Sequence, residues 1–577
     1  MPPSEGAARG AAAMNQPNGG EALVRLLELH GVEIIFGLCG DTSLPFYDAL
    51  QRLDHGMRHV LTRDERSAAY MADGYARVSG KVGVCEGPSG GGATYILPGV
   101  VEANESSVPI LAITTDISVS SRGRFTLTEL DQRALFRPLT KWNTVLDSSA
   151  ELPDAVRTAF REMTSARPGA AHIGLPFDVQ NGPVDEAELW ADREFGAYPA
   201  TREAPDATEV ARAADVLCAA ARPLIICGGG VVISGAEAAL RRLAELLGAP
   251  VATSISGKGS IVDDHPLALG VVGSNGGTDE TRAIVDQADV VLFVGARAGS
   301  VTTERWRHPD PKTVRVVHID ADPRVIGVNY ETAAGLLGDA RLCLEALAGE
   351  IERRAYAAPE RVLGADAVAR AKAEKFAAFD ALARSDATPI RPERLVADLE
   401  AVLPEDAVVV ADPGTPCPYF SGYYKVAKTG RHMFSNRAHG ALGYSLPAAL
   451  GAAFARPDAK VVSVMGDGSF GFVAGELETV QRLGLPVTFV VVSNATFGWI
   501  KAGQRAGYQG RYFSVDFTAT DHARIAEAYG IRSWRVTEPG ELRKALGAAV
   551  ESGGPALVDV VCQPLHEAHA PVSEWVA

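Results

Sequence analysis

Apolar residues arrive in two rhythms along this chain. Short β-branched runs recur at 223–227, 290–294, 314–319, 407–411, 461–464 and 487–492. Runs of that length read as strands. Between them the apolar positions space out as they do on one side of a helix. Ala68, Ala69, Met71, Ala72, Tyr75 and Ala76 follow Glu65 in this way, and Leu477, Val480 and Leu483 follow Glu476. Strand, helix and strand in alternation predict βαβ units and parallel sheets. The expected fold is α/β, with three doubly wound parallel-sheet domains.

The breaks in this pattern suggest boundaries. Residues 1–20 are rich in Ala, Gly and Pro and lack an apolar stretch, so they read as a disordered extension and not as a signal peptide, with Met14 an alternative start. A first domain is expected over residues 21–185. The acidic, aromatic stretch 185–207 reads as a linker. A central domain follows over 208–352, with Gly228, Gly229 and Gly230 as a turn after its first strand. A charged helical linker at 367–385 leads to a third domain, 390–565, and a tail, 566–577, expected to fold over an active site or a subunit contact.

Composition narrows the function classes. The chain has 577 residues, 47% hydrophobic and 22% charged, and a net charge of −16. Such a balance disfavours nucleic acid and anionic membrane as partners. No apolar run is long enough to span a bilayer. Seven cysteines are scattered without metal-binding spacing, as expected of a cytoplasmic protein. Most fall in apolar runs; Cys39 and Cys417 are expected in loops.

The chemistry concentrates at strand ends. The run 461–464 opens into Gly466-Asp467-Gly468-Ser469, expected as a tight loop, and about 25 residues on the run 487–492 ends at Asn494. Open parallel sheets bind ligands at the carboxyl ends of their strands. An Asp carboxylate and an Asn carbonyl are hard oxygen donors suited to Mg²⁺, which completes its shell with phosphate and water. This segment resembles the signature of thiamine diphosphate enzymes. The resemblance implies that Asp467, Asn494 and the carbonyl of Thr496 hold Mg²⁺, and that Gly466, Gly468 and Ser469 approach the cofactor's diphosphate.

Three further pieces carry the same resemblance. The sequence LTRDERSAAYMADGYAR places Glu65 where that family has the acid that hydrogen-bonds a ring nitrogen of the cofactor's aminopyrimidine. A desolvated carboxyl can shuttle a proton there. NRAHGALGYSLPAALGAA puts Leu442 at the residue that wedges under the bent cofactor, with Gly440 holding the aminopyrimidine edge. Asp412-Pro413-Gly414-Thr415 matches a loop that helps to cradle the diphosphate. The domain order resembles the pyrimidine-binding, central and diphosphate-binding domains of the acetolactate synthase-like group. That implies a homodimer or homotetramer in which Glu65 of one chain serves a cofactor held by its partner.

The implied reaction is decarboxylation of a 2-oxo acid and transfer of the acyl or aldehyde unit to an acceptor carbonyl. A non-ligating decarboxylase and an FAD-dependent oxidase of the pyruvate oxidase type are the alternatives. The stretch Glu86-Gly87-Pro88-Ser89-Gly90, read as a loop, lacks the His of simple decarboxylases. Cys39, Thr128 and Trp499 stand where the chain departs from acetolactate synthases. With His439 they are the expected substrate-pocket residues, and they argue against a branched-chain biosynthetic role. FAD in the central domain is disfavoured, because three adjacent glycines are not a dinucleotide fingerprint.

Overall fold

The computed structural model describes residues 16–575. They divide into two compact units, one running to Thr201 and including Leu450–Ala455, the other comprising Arg202–Ala449 and the described residues from Arg456 on. The strands form three six-stranded sheets, and every pairing within these sheets is parallel.

The first unit holds β1 (Ile34–Gly37), β2 (Arg58–Leu61), β3 (Gly83–Gly87), β4 (Ile110–Asp116), β5 (Trp142–Val145) and β6 (Ala171–Pro176), in the order β2-β1-β3-β4-β6-β5. Ile35, Val84, Leu111, Ile113 and Ile173 point to one face, into a core shared with helices Gly19–Leu29 and Leu152–Thr164. Helix Gly19–Leu29 starts earlier than expected, because Asn18 caps it: its side chain accepts from Glu21 N while Glu21 returns the bond. Residues 16–20 therefore do not belong to a disordered extension; Met14 and the remainder of that stretch lie outside the described residues. The expected linker is built of short turns whose Leu189 and Phe195 pack on the same core.

The second unit carries two sheets. The central one comprises β7 (Pro223–Cys227), β8 (Val251–Thr253), β9 (Ala268–Val271), β10 (Val290–Val294), β11 (Arg315–Asp320) and β12 (Thr332–Leu337), ordered β12-β11-β10-β7-β8-β9. Its strand residues alternate between two cores. Ile225, Leu292 and Val317 face helices Ala207–Cys218, Glu237–Leu247 and Ala340–Arg353. Leu224, Val291 and Val316 face the opposite side, with helix Ala365–Ala383. Burial on both faces explains why these strands read as unbroken apolar runs.

The third sheet comprises β13 (Val408–Ala411), β14 (Met433–Phe434), β15 (Val461–Gly466), β16 (Val487–Ser493), β17 (Arg532–Val536) and β18 (Ala556–Val561), ordered β14-β13-β15-β16-β18-β17. This repeats the first sheet's order strand for strand. Val462, Val464, Val490, Val558 and Val560 form its core with helices Pro392–Val402 and Pro539–Val550. Among the described residues, no helix is long and apolar enough to cross a membrane.

Candidate active site

At the end of β15 the chain does not make the tight loop expected. It runs directly into helix Asp467–Val473, with Gly466 as N-cap. Asp467 therefore starts a helix, where a carboxylate is favoured. Its Oδ1 accepts from Gly468 N at 2.8 Å. Its Oδ2 accepts from Asn494 N at 2.7 Å and Ala495 N at 2.6 Å. These amides lock the carboxylate to the end of the neighbouring β16. Burial nevertheless raises its pKa, against the pull of those amides. Ala495 adopts φ +55°, a left-handed kink that lets Asn494 and Thr496 flank it.

The donor set fits a divalent cation. The Asn494 side-chain oxygen is buried and meets no hydrogen-bond partner. A buried carbonyl oxygen without a partner costs free energy that a cation would recover. Among the described residues, no cluster of three or more His, Cys, Asp or Glu side chains could hold a metal. A mixed site of carboxylate, amide oxygen and backbone carbonyl is what these strand ends offer. Thr496 is buried, with its hydroxyl donating to Val515 O at 2.9 Å, so its backbone is held in place.

Beside these groups lies a cavity of about 320 Å³. Gly414, Thr415, Gly440 and Leu442 line one part, and Gly466, Asp467, Gly468 and Ser469 another. Gly414 has φ +110° and Gly440 φ +72°, and a Cβ on either would meet nothing within 4 Å. Their backbone is thus exposed to the cavity in a conformation that favours glycine. Thr496, Phe497 and Trp499 also line it, with Asn275 from the loop after β9 and Glu574 from the tail.

Asp412 organises the loops around this cavity. It follows β13 and is fully buried. It accepts from Gly443 N at 3.3 Å, Ser445 N at 2.9 Å and the Ser469 hydroxyl at 2.9 Å. Burial pushes its pKa up to about 6. The sequence marks it only as the first residue of a post-strand loop; its three partners are far away in the chain. Asn275 and Glu574 carry no local signal at all.

The tail closes part of the site. Gly276 N donates to Pro571 O at 2.8 Å, and Ser573 N to Ser274 O at 3.1 Å. Glu574 pairs with Arg305 at 3.4 Å and with Arg307. The Trp575 ring meets Trp499 edge-on at 5.2 Å. Two expectations fare differently here. His439 is exposed and does not line the cavity. Cys417 is not in a loop: it is buried in helix Pro416–Tyr423, its sulfur 3.6 Å from the Ser421 hydroxyl.

In the first unit, Glu65 begins helix Glu65–Ser79, capped by Asp64, and is 7% exposed. Burial raises its pKa, and the charges of Asp64 and Glu86 raise it further. Its side chain lies over residues 87–92: a Cβ on Gly87 would sit 3.1 Å from Glu65 Cγ, and one on Gly92 3.1 Å from Glu65 Oε1. Thr128, at φ +70°, joins the same loop through the Ser89 hydroxyl at 2.8 Å. Cys39 is half-buried beside Gly40, which packs on Pro88. The structure thus gathers Glu65, Cys39 and Thr128 around one turn. Glu86 is not in that loop. It lies within β3, wholly buried.

Two strand-end constellations on sheets of identical order, one built around a buried acid and one around a hard-oxygen donor set, define a class of cofactor-dependent α/β enzyme. Three family models match the chain. They are the thiamine pyrophosphate (thiamine diphosphate) enzyme N-terminal TPP binding domain over 17–135, the central domain over 210–347, and the C-terminal TPP binding domain over 412–560. A "Probable acetolactate synthase large subunit" of Methanococcus aeolicus is 35% identical over 95% of this chain and 92% of its own length. The "Acetolactate synthase isozyme 3 large subunit" of Escherichia coli (strain K12) is 32% identical over 93% of both. A "Probable 2-ketoarginine decarboxylase AruI" of Pseudomonas aeruginosa is 34% identical over 94% of this chain and 93% of its own. The chain belongs to the thiamine pyrophosphate enzyme family, in its acetolactate synthase-like group. Its general chemistry is that of the thiamine diphosphate-dependent 2-oxo acid decarboxylases and carboligases.

Proposed function

We propose that this protein is a Mg²⁺-dependent carboligase. It removes carbon dioxide from a 2-oxo acid and joins the remaining unit to a carbonyl acceptor other than that of branched-chain biosynthesis. The observation that carries the metal assignment is the buried, unpartnered Asn494 oxygen beside an Asp467 carboxylate held by three amides. When bound, thiamine diphosphate supplies an electron sink for the pair released as carbon dioxide leaves.

The chain's own residues do the rest. Asp467, Asn494 and the Thr496 carbonyl hold the cation. Gly414, Thr415, Gly440, Gly466, Gly468 and Ser469 receive the cofactor, and Leu442 props it. Glu65 holds a proton at its carboxyl for a ring nitrogen of the cofactor. Its burial favours the protonated form that can donate. Trp499, Phe497 and the tail exclude water from the cavity, so that a carbonyl acceptor competes. The active unit is a cytoplasmic homodimer or homotetramer, in which Glu65 of one chain serves the cofactor of the other.

The three glycines after β7 support a reading without flavin. A Cβ on Gly228 would sit 2.1 Å from Gly295 O, and one on Gly230 2.7 Å from Gly295 Cα. Close packing against the Gly295 turn accounts for Gly228 and Gly230, and Gly229 opens helix Gly229–Ser234. The non-ligating reading draws support from the relative named a 2-ketoarginine decarboxylase. Incubation with a panel of 2-oxo acids, with and without aldehyde or 2-oxo acid acceptors and read by mass spectrometry, tests the proposal. Coupled products support it. Free aldehyde alone establishes the decarboxylase instead, and a yellow protein that consumes oxygen establishes the oxidase.

A further inference from the structure

Glu86 is a carboxyl that the reaction as described does not use. It sits in the middle of the first sheet, on β3 between β1 and β4, with no solvent exposure. One of its oxygens, Oε1, accepts a hydrogen bond from the Tyr47 hydroxyl. The other, Oε2, is buried without a hydrogen-bond partner. His59 Nε2 lies 3.0 Å from the Tyr47 hydroxyl and 3.6 Å from Glu86 Oε1. The His59 side chain is 19% exposed, so this chain of groups runs from the sheet interior toward solvent.

The geometry around Glu86 leaves it little freedom. Gly37 on β1 must be glycine, since a Cβ there would fall 2.3 Å from Glu86 Oε1. The charged and titratable groups that act on the carboxyl are Tyr47 from helix Leu44–Arg52, His59 from β2, Cys39 from the loop after β1, Cys85 from its own strand, and Glu65, whose side chain lies over Gly87, the residue next to Glu86. No lysine or arginine is among them. Burial and Glu86 push the Tyr47 phenol far above its ordinary range, so Tyr47 stays a donor. The Tyr47 hydroxyl thus lies between His59 Nε2 and Glu86 Oε1.

A buried acid of this kind is costly, because desolvation opposes its charge and its neighbour Glu65 carries the same sign. Packing does not require it; an apolar residue would fill a sheet interior without that cost. A proton-holding group explains it better. We propose that Glu86, reached through Tyr47 and His59, is a positioning residue for Glu65: a second buried carboxyl whose charge sets the pH at which Glu65 gives up its proton. When Glu86 is ionised, its charge disfavours ionisation of Glu65, and Glu65 keeps its proton to higher pH. When Glu86 is neutral, Glu65 ionises more readily. This inference rests on Glu65 being the group that meets the cofactor.

The test measures protons exchanged when thiamine diphosphate and Mg²⁺ bind, by calorimetry in buffers of different ionisation enthalpy, across pH. It compares the wild type with Glu86→Gln, which keeps an acceptor for Tyr47 but cannot ionise. The proton-exchange curve of Glu86→Gln should move to lower pH by about one unit, the small end of like-charge effects. Tyr47→Phe and His59→Asn, which lengthen the path but keep the carboxyl, should displace it less. In a Glu65→Gln background the displacement should vanish. Superimposable curves for wild type and Glu86→Gln would overturn the inference, as would a displacement that persists without the Glu65 carboxyl. If Glu86→Gln fails to fold, Tyr47→Phe and His59→Asn decide: curves identical to wild type in both overturn the inference. If Glu65→Gln alone leaves the proton count unchanged, Glu65 does not meet the cofactor, and the proposed function loses its acid as well.

Discussion

The first and third sheets share one strand order and end in opposite chemistry. After β1 and its counterpart β13 come a Cys-Gly-Asp turn and the Asp412 loop. After β2 comes Glu65; after β14 come Gly440 and Leu442. After β3 comes the turn under Glu65; after β15 comes Asp467. The third sheet presents oxygen donors locked by amides beside a cavity. The first presents two buried carboxyls whose pKa values burial raises. One scaffold thus supplies equivalent ledges, and the residue on each ledge decides whether it binds or exchanges protons.

That contrast can be broken on either side. The largest effect is expected on the third sheet. Asp467→Ala should abolish metal-dependent binding of thiamine diphosphate in a calorimetric titration, while circular dichroism stays native. Unchanged affinity would remove the cation site from this sheet. On the first sheet the failure should look different. Glu65→Gln should bind cofactor within a few-fold of wild type yet lose about 10²-fold or more in turnover, the usual scale for a positioned acid–base group. Near-normal exchange of the cofactor's C2 proton, followed by NMR, would show that the first sheet does not carry the activating acid.

Smaller effects sharpen the comparison. Trp499→Ala opens the cavity wall and frees Trp575, so donor or acceptor preference should shift by roughly tenfold, with cofactor affinity unchanged. Wild-type selectivity across a substrate panel would place the pocket elsewhere. The mildest effect comes from Asp412. As a carboxylate it accepts from two amides and a hydroxyl, and its pKa of about 6 means that those bonds weaken as pH falls through that value. Cofactor affinity should therefore decline a few-fold below pH 6, and Asp412→Asn should be weak at all pH and lose that dependence. A flat profile in the wild type would show that Asp412 only packs.

The sequence by itself determined the α/β class and those strands of the second and third sheets that are unbroken apolar runs. A strand buried on both faces must be a continuous apolar run, so β7, β10, β15 and β16 are visible without any partner. Asp467, Asn494 and Glu65 stand at the ends of local elements, so short motifs locate them. Local pattern misplaced what depends on distant chain. Cys417 looked like a loop residue until Ile255 and Val271 buried it. Residues 16–20 looked like part of a tail until Asn18 capped a helix. Asp412 gains its role from Gly443, Ser445 and Ser469, and the cavity gains Asn275 from a loop of the central domain and Glu574 from the tail. Glu86 read as a loop residue, because nothing nearby in the chain shows that β1 and β4 close over it. Periodicity and turn chemistry act over a few residues and survive in the sequence. Burial and hydrogen-bond partnership are set by whichever segments folding brings alongside, and only the tertiary structure decides those.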